Sequence, residues 1–183
     1  MPNVFNMDSD QELIVLVNEG DADSFEILYR RYRDWVYHLA WRFTGSQQDA
    51  LDVLQETFTY LLGKFPGFSL TASMTTFLYP VVRHISLTVR SKNRRFTSDE
   101  EILSEITAPA LKESHSSRSE LAAVLAVLPD EQREVLLMRF VDDMSLQEVA
   151  AAVNIPLGTV KSRLHHALQK LRNDPRTKDY FLK

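Results

Sequence analysis

The sequence predicts an all-α protein built as two small helical domains joined by a flexible linker. Three observations carry that expectation. Apolar residues recur at helical spacing along most of the 183 residues, and no segment alternates strictly between apolar and polar as a half-buried strand does. Glycine is scarce, at 5, which leaves few of the tight turns that a sheet protein needs. Helical periodicity lapses over residues 96–118, an acidic, serine-rich stretch with few bulky side chains, the composition of a linker. The expected domains are therefore 1–95 and 119–183, with the linker 96–118 between them.

In chain order, Asp8 or Ser9 caps the helix "DQELIVLVN", which stops at Gly20. Asp23 or Ser24 starts "FEILYRRYRDWVYHLAWRFT", with Phe25, Leu28, Tyr32, Trp35, Val36 and Leu39 on one face and Gly45 as terminator. Ser46 followed by Asp49 resembles a capping box with Asp in place of the usual Glu. It opens "QQDALDVLQETFTYLLGKF", which Pro66 stops. After the loop "PGFSLTAS" a further helix runs from about Met74 to Lys92. Pro80 lies inside it, removes one backbone donor and predicts a kink. Beyond the linker, helical periodicity resumes with "ELAAVLAVL", is interrupted at Pro129 and continues as "DEQREVLLMRFVD".

The stretch "SLQEVAAAVNIPLGTVKSRLHHALQKLR", Ser145 to Arg172, is the most informative. Ser145 is an N-cap with Glu148 at the reciprocal capping-box position. Leu146, Val149, Ala150 and Val153 form the expected buried stripe of the first helix. Asn154 suits the left-handed turn, Ile155 plugs the corner and Pro156 prevents the first helix from continuing. In the second helix, at about 100° per residue, Val160, Leu164, Ala167, Leu168 and Leu171 share one arc. Thr159, Ser162, Arg163, His166, Gln169 and Lys170 fill the opposite arc, with Lys161 and His165 at its edge. None of these is acidic. The pattern is a helix-turn-helix whose second helix offers donors and positive charge at a length suited to a DNA major groove. A helical hairpin whose solvated face lacks acids fits the same spacing.

That face stands out because the chain as a whole carries net charge −4. From Phe96 to Pro156 a dozen carboxylates oppose Lys112, Arg118, Arg133 and Arg139. From Leu157 to Lys183 the balance reverses, with seven basic residues against Asp174 and Asp179. A second basic run, "VRHISLTVRSKNRR", contains Arg83, Arg90, Lys92, Arg94 and Arg95 and no acid. Two basic patches in an acidic chain imply two meetings with a polyanion, although cations also suit helix C-termini for their own sake.

Other classes are disfavoured. Cysteine is absent, which excludes disulfides and thiolate metal sites and suits a reducing cytoplasm. The N-terminus lacks the basic patch and apolar run of a signal peptide, and no apolar run approaches a membrane span. A cytoplasmic location is expected. His165 and His166 are adjacent, point about 100° apart and lack a third ligand nearby, so no metal is expected. There is no phosphate-cradling glycine loop, HExxH or glycine-flanked serine elbow. Neither enzyme activity nor a cofactor is expected.

"LPDEQREVLLMRFVDDMSLQEVAAAVNIPLGTVKSRLHHALQKLR" resembles the C-terminal promoter-binding domain of bacterial RNA polymerase sigma factors of the extracytoplasmic-function (ECF) type. The "GTVKSRL" core is also shared with response-regulator DNA-binding domains. "FEILYRRYRDWVYHLAWRFTGSQQDALDVLQETFTYLLGKF" and "TTFLYPVVRHISLTVRSKNRR" resemble the other conserved sigma domain, in the expected order. The resemblance implies a factor that binds core RNA polymerase, recognises promoter DNA at two sites and helps to open the strands. It implies that "DALDVLQETF" docks on the polymerase clamp helices through Asp49, Asp52, Gln55, Glu56 and Phe58.

It further implies that the segment bearing Arg83, His84, Arg90, Lys92, Arg94 and Arg95 grips the minus-ten element, and that the loop Gly67 to Ser73 holds a flipped non-template base. Thr159, Lys161, Ser162, Arg163, His165, His166 and Gln169 become readers of the minus-thirty-five element. An anti-sigma protein is a further partner that the family suggests. The chain departs from the family at Pro80, at Val82-Arg83-His84, where Ala-Arg-Asn is frequent, and at Asn154, where a turn glycine is usual. The alternatives are a free-standing helix-turn-helix regulator acting as a dimer, which leaves the N-terminal half unexplained, and a helical adaptor that binds only protein.

Overall fold

The structure, a computed structural model, describes residues 9–97, 124–175 and Thr177, with backbone alone for residues 94–97. The described residues form seven full helices in two compact units, each with its own core. The first unit holds α1 (Asp10–Asn18), α2 (Ala22–Thr44), α3 (Gln47–Leu62) and α4 (Met74–Thr97). The second holds α5 (Asp130–Phe140), α6 (Leu146–Ala152) and α7 (Leu157–Asn173). Of the expected linker, Phe96 and Thr97 belong to α4, and the rest lies outside the described residues. Much of "ELAAVLAVL" lies outside them as well; its Val124 and Leu125 are helical.

In the first unit, α1 begins with a complete capping box. Ser9 Oγ accepts from the Glu12 N–H at 3.3 Å, and Glu12 Oε2 accepts from the Ser9 N–H at 2.7 Å. That bond from the Ser9 backbone is the main reason the Glu12 carboxyl lies below its ordinary pKa. Leu13, Ile14 and Val17 are buried at i, i+1 and i+4, facing α2.

The cap of α2 is Asp21, not Asp23 or Ser24. Its carboxylate accepts from the Asp23 and Ser24 N–H groups at 3.3 and 3.2 Å and from Ser24 Oγ. Gly20, at φ +98°, turns the chain so that Asp21 enters extended and free to cap. Gly45 ends the helix in the left-handed conformation, as expected.

Ser46 caps α3 by accepting from the Asp49 N–H at 3.3 Å. The Asp49 carboxylate faces α4, where it accepts from Asn93 Nδ2 at 2.9 Å. Ser73 caps α4, which continues through Pro80 and five residues past Lys92. Helices α2, α3 and α4 pack on one another around Leu28, Val36, Leu39, Val53, Leu61, Leu78, Tyr79 and Val82, all essentially dry. Phe25, Tyr32 and Trp35, expected on the buried face of α2, are half-buried.

In the second unit, Leu128, Leu136 and Ala167 form a core against which Leu125, Val127, Leu164 and Leu171 pack. Pro129 ends the preceding turn and begins α5. Arg133 reaches back from α5 and donates to the carbonyls of Leu125 at 3.0 Å and Leu128 at 2.7 Å. The Leu125 carbonyl also accepts from the Leu128 N–H at 3.1 Å, so Arg133 reinforces the turn that leads into α5. Ser145 and Glu148 form the expected capping box of α6.

Two sequence expectations need correction. The buried residues of α6 are Val149 and Ala152, while Leu146, Ala150 and Val153 are only partly covered. With seven residues the helix has less than two full turns, so its covered face is set by where α5 and α7 lie rather than by a long stripe. In α7, Leu168 is 45% exposed; it lies about 80° from Val160 on the helical wheel, at the edge of the apolar arc.

Asn154 adopts φ +52° between α6 and α7, the left-handed turn read from the sequence. A side chain without Asn's local hydrogen bonding meets a steric cost there. We predict that Asn154→Ala lowers the stability of the chain by about 1 kcal/mol, whereas Asn154→Gly leaves it within a few tenths. Chemical denaturation of both variants checks this.

Candidate nucleic-acid and protein interfaces

Three surfaces carry the residues that the sequence singles out. The first is α3. Asp52, Gln55 and Glu56 are exposed, and spacings of three and four put them on one side of the helix. Asp49 is on the same helix but is half-covered and engaged by Asn93. Phe58 does not share that exposed face. It is 5% exposed and stacks edge-on against Tyr29 of α2, ring centroids 4.7 Å apart. It forms the floor of a shallow, mainly apolar groove between α2 and α3, lined also by Phe25, Leu51, Leu54 and Leu62. An exposed carboxylate and amide row therefore borders an apolar trough.

The second surface is α4 with the loop before it. Arg83, His84, Arg90 and Lys92 are all exposed. At about 100° per residue, Arg83, Arg90 and Arg94 fall within about 40° of one another, while Lys92 points to the opposite side. Arg94 and Arg95 lie within the helix, their side chains outside the described residues. By helical position the basic run is thus divided: residues 83, 90 and 94 share one line, and Lys92 lies apart from it.

The loop from Gly63 to Ser73 is anchored from below by a row of rings. Phe25 contacts Phe65 at 6.2 Å, Phe65 contacts Phe68 at 5.4 Å, and Phe68 contacts Phe77 of α4 at 4.9 Å. Ser69, Thr71 and Ala72 are left exposed at its tip.

The third surface is the outer face of α7. Lys161, Ser162, His165, His166 and Gln169 are exposed together, with Thr159 half-buried at the first turn. The His165 and His166 rings sit 5.7 Å apart, edge to face. Arg163 differs from its neighbours: only 26% exposed, its Nη2 lies 2.5 Å from Glu131 Oε2 on α5. Sequence reading gave no sign of this pair, because 32 residues separate its members. A lone exposed Glu at the start of α5 carries no such signal.

The model of sigma-70 region 2 matches residues 28–96, and that of sigma-70 region 4 matches residues 124–173. The chain is 30% identical over 174 residues to the ECF RNA polymerase sigma factor SigW of Bacillus subtilis, covering 87% of this chain and 93% of that one.

The chain belongs to the ECF RNA polymerase sigma factors.

It is also 26% identical over 179 residues to the ECF sigma-E factor of Haemophilus influenzae, covering 90% of this chain and 94% of that one. Among solved structures, CnrH in complex with the cytosolic domain of CnrY superposes with a TM-score of 0.67 at 21% identity, over 90% of this chain and 96% of that one. RpoE of Bartonella quintana, bound to the anti-sigma factor NepR, gives 0.64 at 18%, over 82% and 96%. These likenesses agree with the helical fold.

As a sigma factor the chain serves transcription initiation, with core RNA polymerase and promoter DNA as its partners, and is not itself an enzyme. Region 2 contains the α3 and α4 surfaces, and region 4 contains α7. A dimeric regulator built on a helix-turn-helix alone leaves the region 2 match without a role. Among the described residues, no helix is long and apolar enough to cross a membrane.

Because Phe58 is packed against Tyr29, its removal acts first on folding. Phe58→Ala is expected to lower the unfolding free energy by about 3 kcal/mol or more. Denaturant titration of the variant measures this separately from any loss of polymerase binding.

Proposed function

We propose that this sigma factor divides its work among the three surfaces. The exposed side of α3, with Asp52, Gln55 and Glu56 and the flank of Asp49, docks on core RNA polymerase beside the apolar groove floored by Phe58. Carboxylates there meet basic groups of the enzyme, and the groove adds apolar contact. The line of Arg83, Arg90 and Arg94, with His84, Lys92 and Arg95 around it, grips the minus-ten element. The loop Gly67 to Ser73 takes up an unstacked base, whose few kcal/mol of lost stacking are offset by a pocket. The outer face of α7 reads the minus-thirty-five element through Thr159, Lys161, Ser162, Arg163, His165, His166 and Gln169. Domains 1–95 and 119–183 then act at two DNA sites, with the acidic stretch 96–118 between them.

The observation that carries this reading is the α7 face: five exposed polar or basic residues, none acidic, on a chain of net charge −4. A cytoplasmic location follows from this role, since polymerase and promoter are there. An anti-sigma protein is a further proposed partner. Among structures of similar fold, CnrH is in complex with the cytosolic domain of CnrY, and the sigma factor RpoE with the anti-sigma factor NepR.

Two expectations test the assignments. Asp52→Arg combined with Glu56→Arg weakens binding to core polymerase at least about tenfold while the helical circular-dichroism signal is unchanged; undiminished co-purification with core enzyme refutes the docking face. On DNA, Glu131 competes with phosphates and bases for Arg163. Glu131→Gln therefore tightens promoter binding by the holoenzyme, and Arg163→Ala flattens base discrimination in the minus-thirty-five element by about 1–3 kcal/mol. Equal discrimination by wild type and Arg163→Ala removes Arg163 from the readers.

A further inference from the structure

Asn18, the last residue of α1, lies before the region matched to sigma-70 region 2, yet its side chain is spent on the loop some 50 residues away. Asn18 Oδ1 accepts from the Gly67 N–H at 2.6 Å and from the Phe68 N–H at 3.0 Å. Its Nδ2 donates to the Phe68 carbonyl at 2.9 Å. Two donors and one acceptor on the loop fix the amide in one orientation, since a flipped amide would set N–H against N–H. Gly67 is at φ +99° with open space around its missing Cβ, so the backbone angle and not crowding demands glycine there.

Helix α1 is held firmly enough to act through this contact. At its other end Asp10 pairs with Arg31 Nη1 at 2.6 Å and accepts from the Tyr32 hydroxyl, both on α2. Its apolar side is buried. Nine residues at about 1.5 Å each make a strut of roughly 13 Å, joined to α2 at one end and to the loop at the other. The row Phe25–Phe65–Phe68–Phe77 supports the same loop through ring contacts. Ring contacts tolerate sliding; three directed hydrogen bonds do not. The residues that follow the bonded pair, Ser69 to Ala72, form the tip.

We infer that Asn18 is a positioning residue for minus-ten base capture, holding the backbone at Gly67 and Phe68 so that the loop tip presents a fixed pocket to the unstacked base. This rests on the reading of the loop proposed above. Asn18 itself touches no DNA in this account. Loss of the latch leaves polymerase docking on α3 and minus-thirty-five reading on α7 intact.

The test uses holoenzyme made from core polymerase and the full-length chain. Transcription from a promoter library randomised at both elements is read together with permanganate reactivity of the opened strand. Asn18→Ala is expected to slow strand opening roughly tenfold and to flatten the base preference at one minus-ten position. Core binding and the minus-thirty-five preference stay at wild-type levels. Asn18→Asp keeps the acceptor for both N–H groups and loses the donor to Phe68, so it is expected to fall between Asn18→Ala and wild type.

A loop-tip variant, Leu70→Gly with Thr71→Gly, separates the two layers of the argument. If it alters the minus-ten profile and Asn18→Ala does not, the latch is wrong and the loop reading stands. If neither variant alters the profile, the loop reading is wrong and the latch falls with it. A uniform loss across all promoters with Asn18→Ala, in step with weaker core binding, overturns the inference in favour of a purely structural role.

Discussion

The burial of α2 is the constraint on which the N-terminal unit depends. Helix α1 has nine residues, below the roughly 12–15 at which an isolated helix becomes even marginal in water. It exists because Leu13, Ile14 and Val17 are covered by α2. Helices α3 and α4 are longer, but each also spends its apolar stripe on α2 and on the other. Leu28, Val36, Leu39 and Ala40 of α2 are consequently dry. Once those stripes are committed, the outward faces of α3 and α4 are fixed in direction. The exposed acids of α3 and the basic line of α4 are what packing leaves over, and the Asn93–Asp49 hydrogen bond ties the two helices at their margin.

The same logic explains how an acidic chain meets a polyanion. Net charge governs long-range attraction, but it is screened over about 8 Å at physiological salt. At contact distance only the facing residues count. On α7 these are Lys161, Ser162, His165, His166 and Gln169, none of them acidic, while Glu131 of α5 is already occupied by Arg163. Segregation by helix face thus allows a chain of net charge −4 to carry the one surface proposed for a basic partner and the two proposed for DNA.

What the sequence made legible was local. The left-handed Asn154, the terminating Gly45, the Ser9 cap of α1 (one of the two residues offered) and the capping box of α6 each depend on residues within four positions of one another, and each is where the residue types put it. The misplaced cap of α2 also has a local cause. Asp21, Asp23 and Ser24 are all cap-forming types, and only the turn at Gly20 selects Asp21 among them. Long-range pairs were not legible. Asn18 with Gly67 and Phe68, Arg163 with Glu131 and Phe58 with Tyr29 join residues 29 to 50 positions apart. No period or spacing encodes those meetings. The family resemblance supplied roles for surfaces and said nothing about the contacts that hold them in place.

The Arg163–Glu131 pair shows why such a contact matters for recognition. An ion pair with one exposed partner is worth about 0–1 kcal/mol, whereas a bidentate Arg contact to a guanine edge discriminates by about 1–3 kcal/mol. On the proposed reading of Arg163, a matching base outcompetes Glu131 for the guanidinium, and a mismatched one gains too little to do so. Glu131 is thus a built-in competitor whose strength sets the threshold for engagement. The contact stabilises the free protein little, and under the proposed role of Arg163 its larger effect is on which promoter the α7 face accepts.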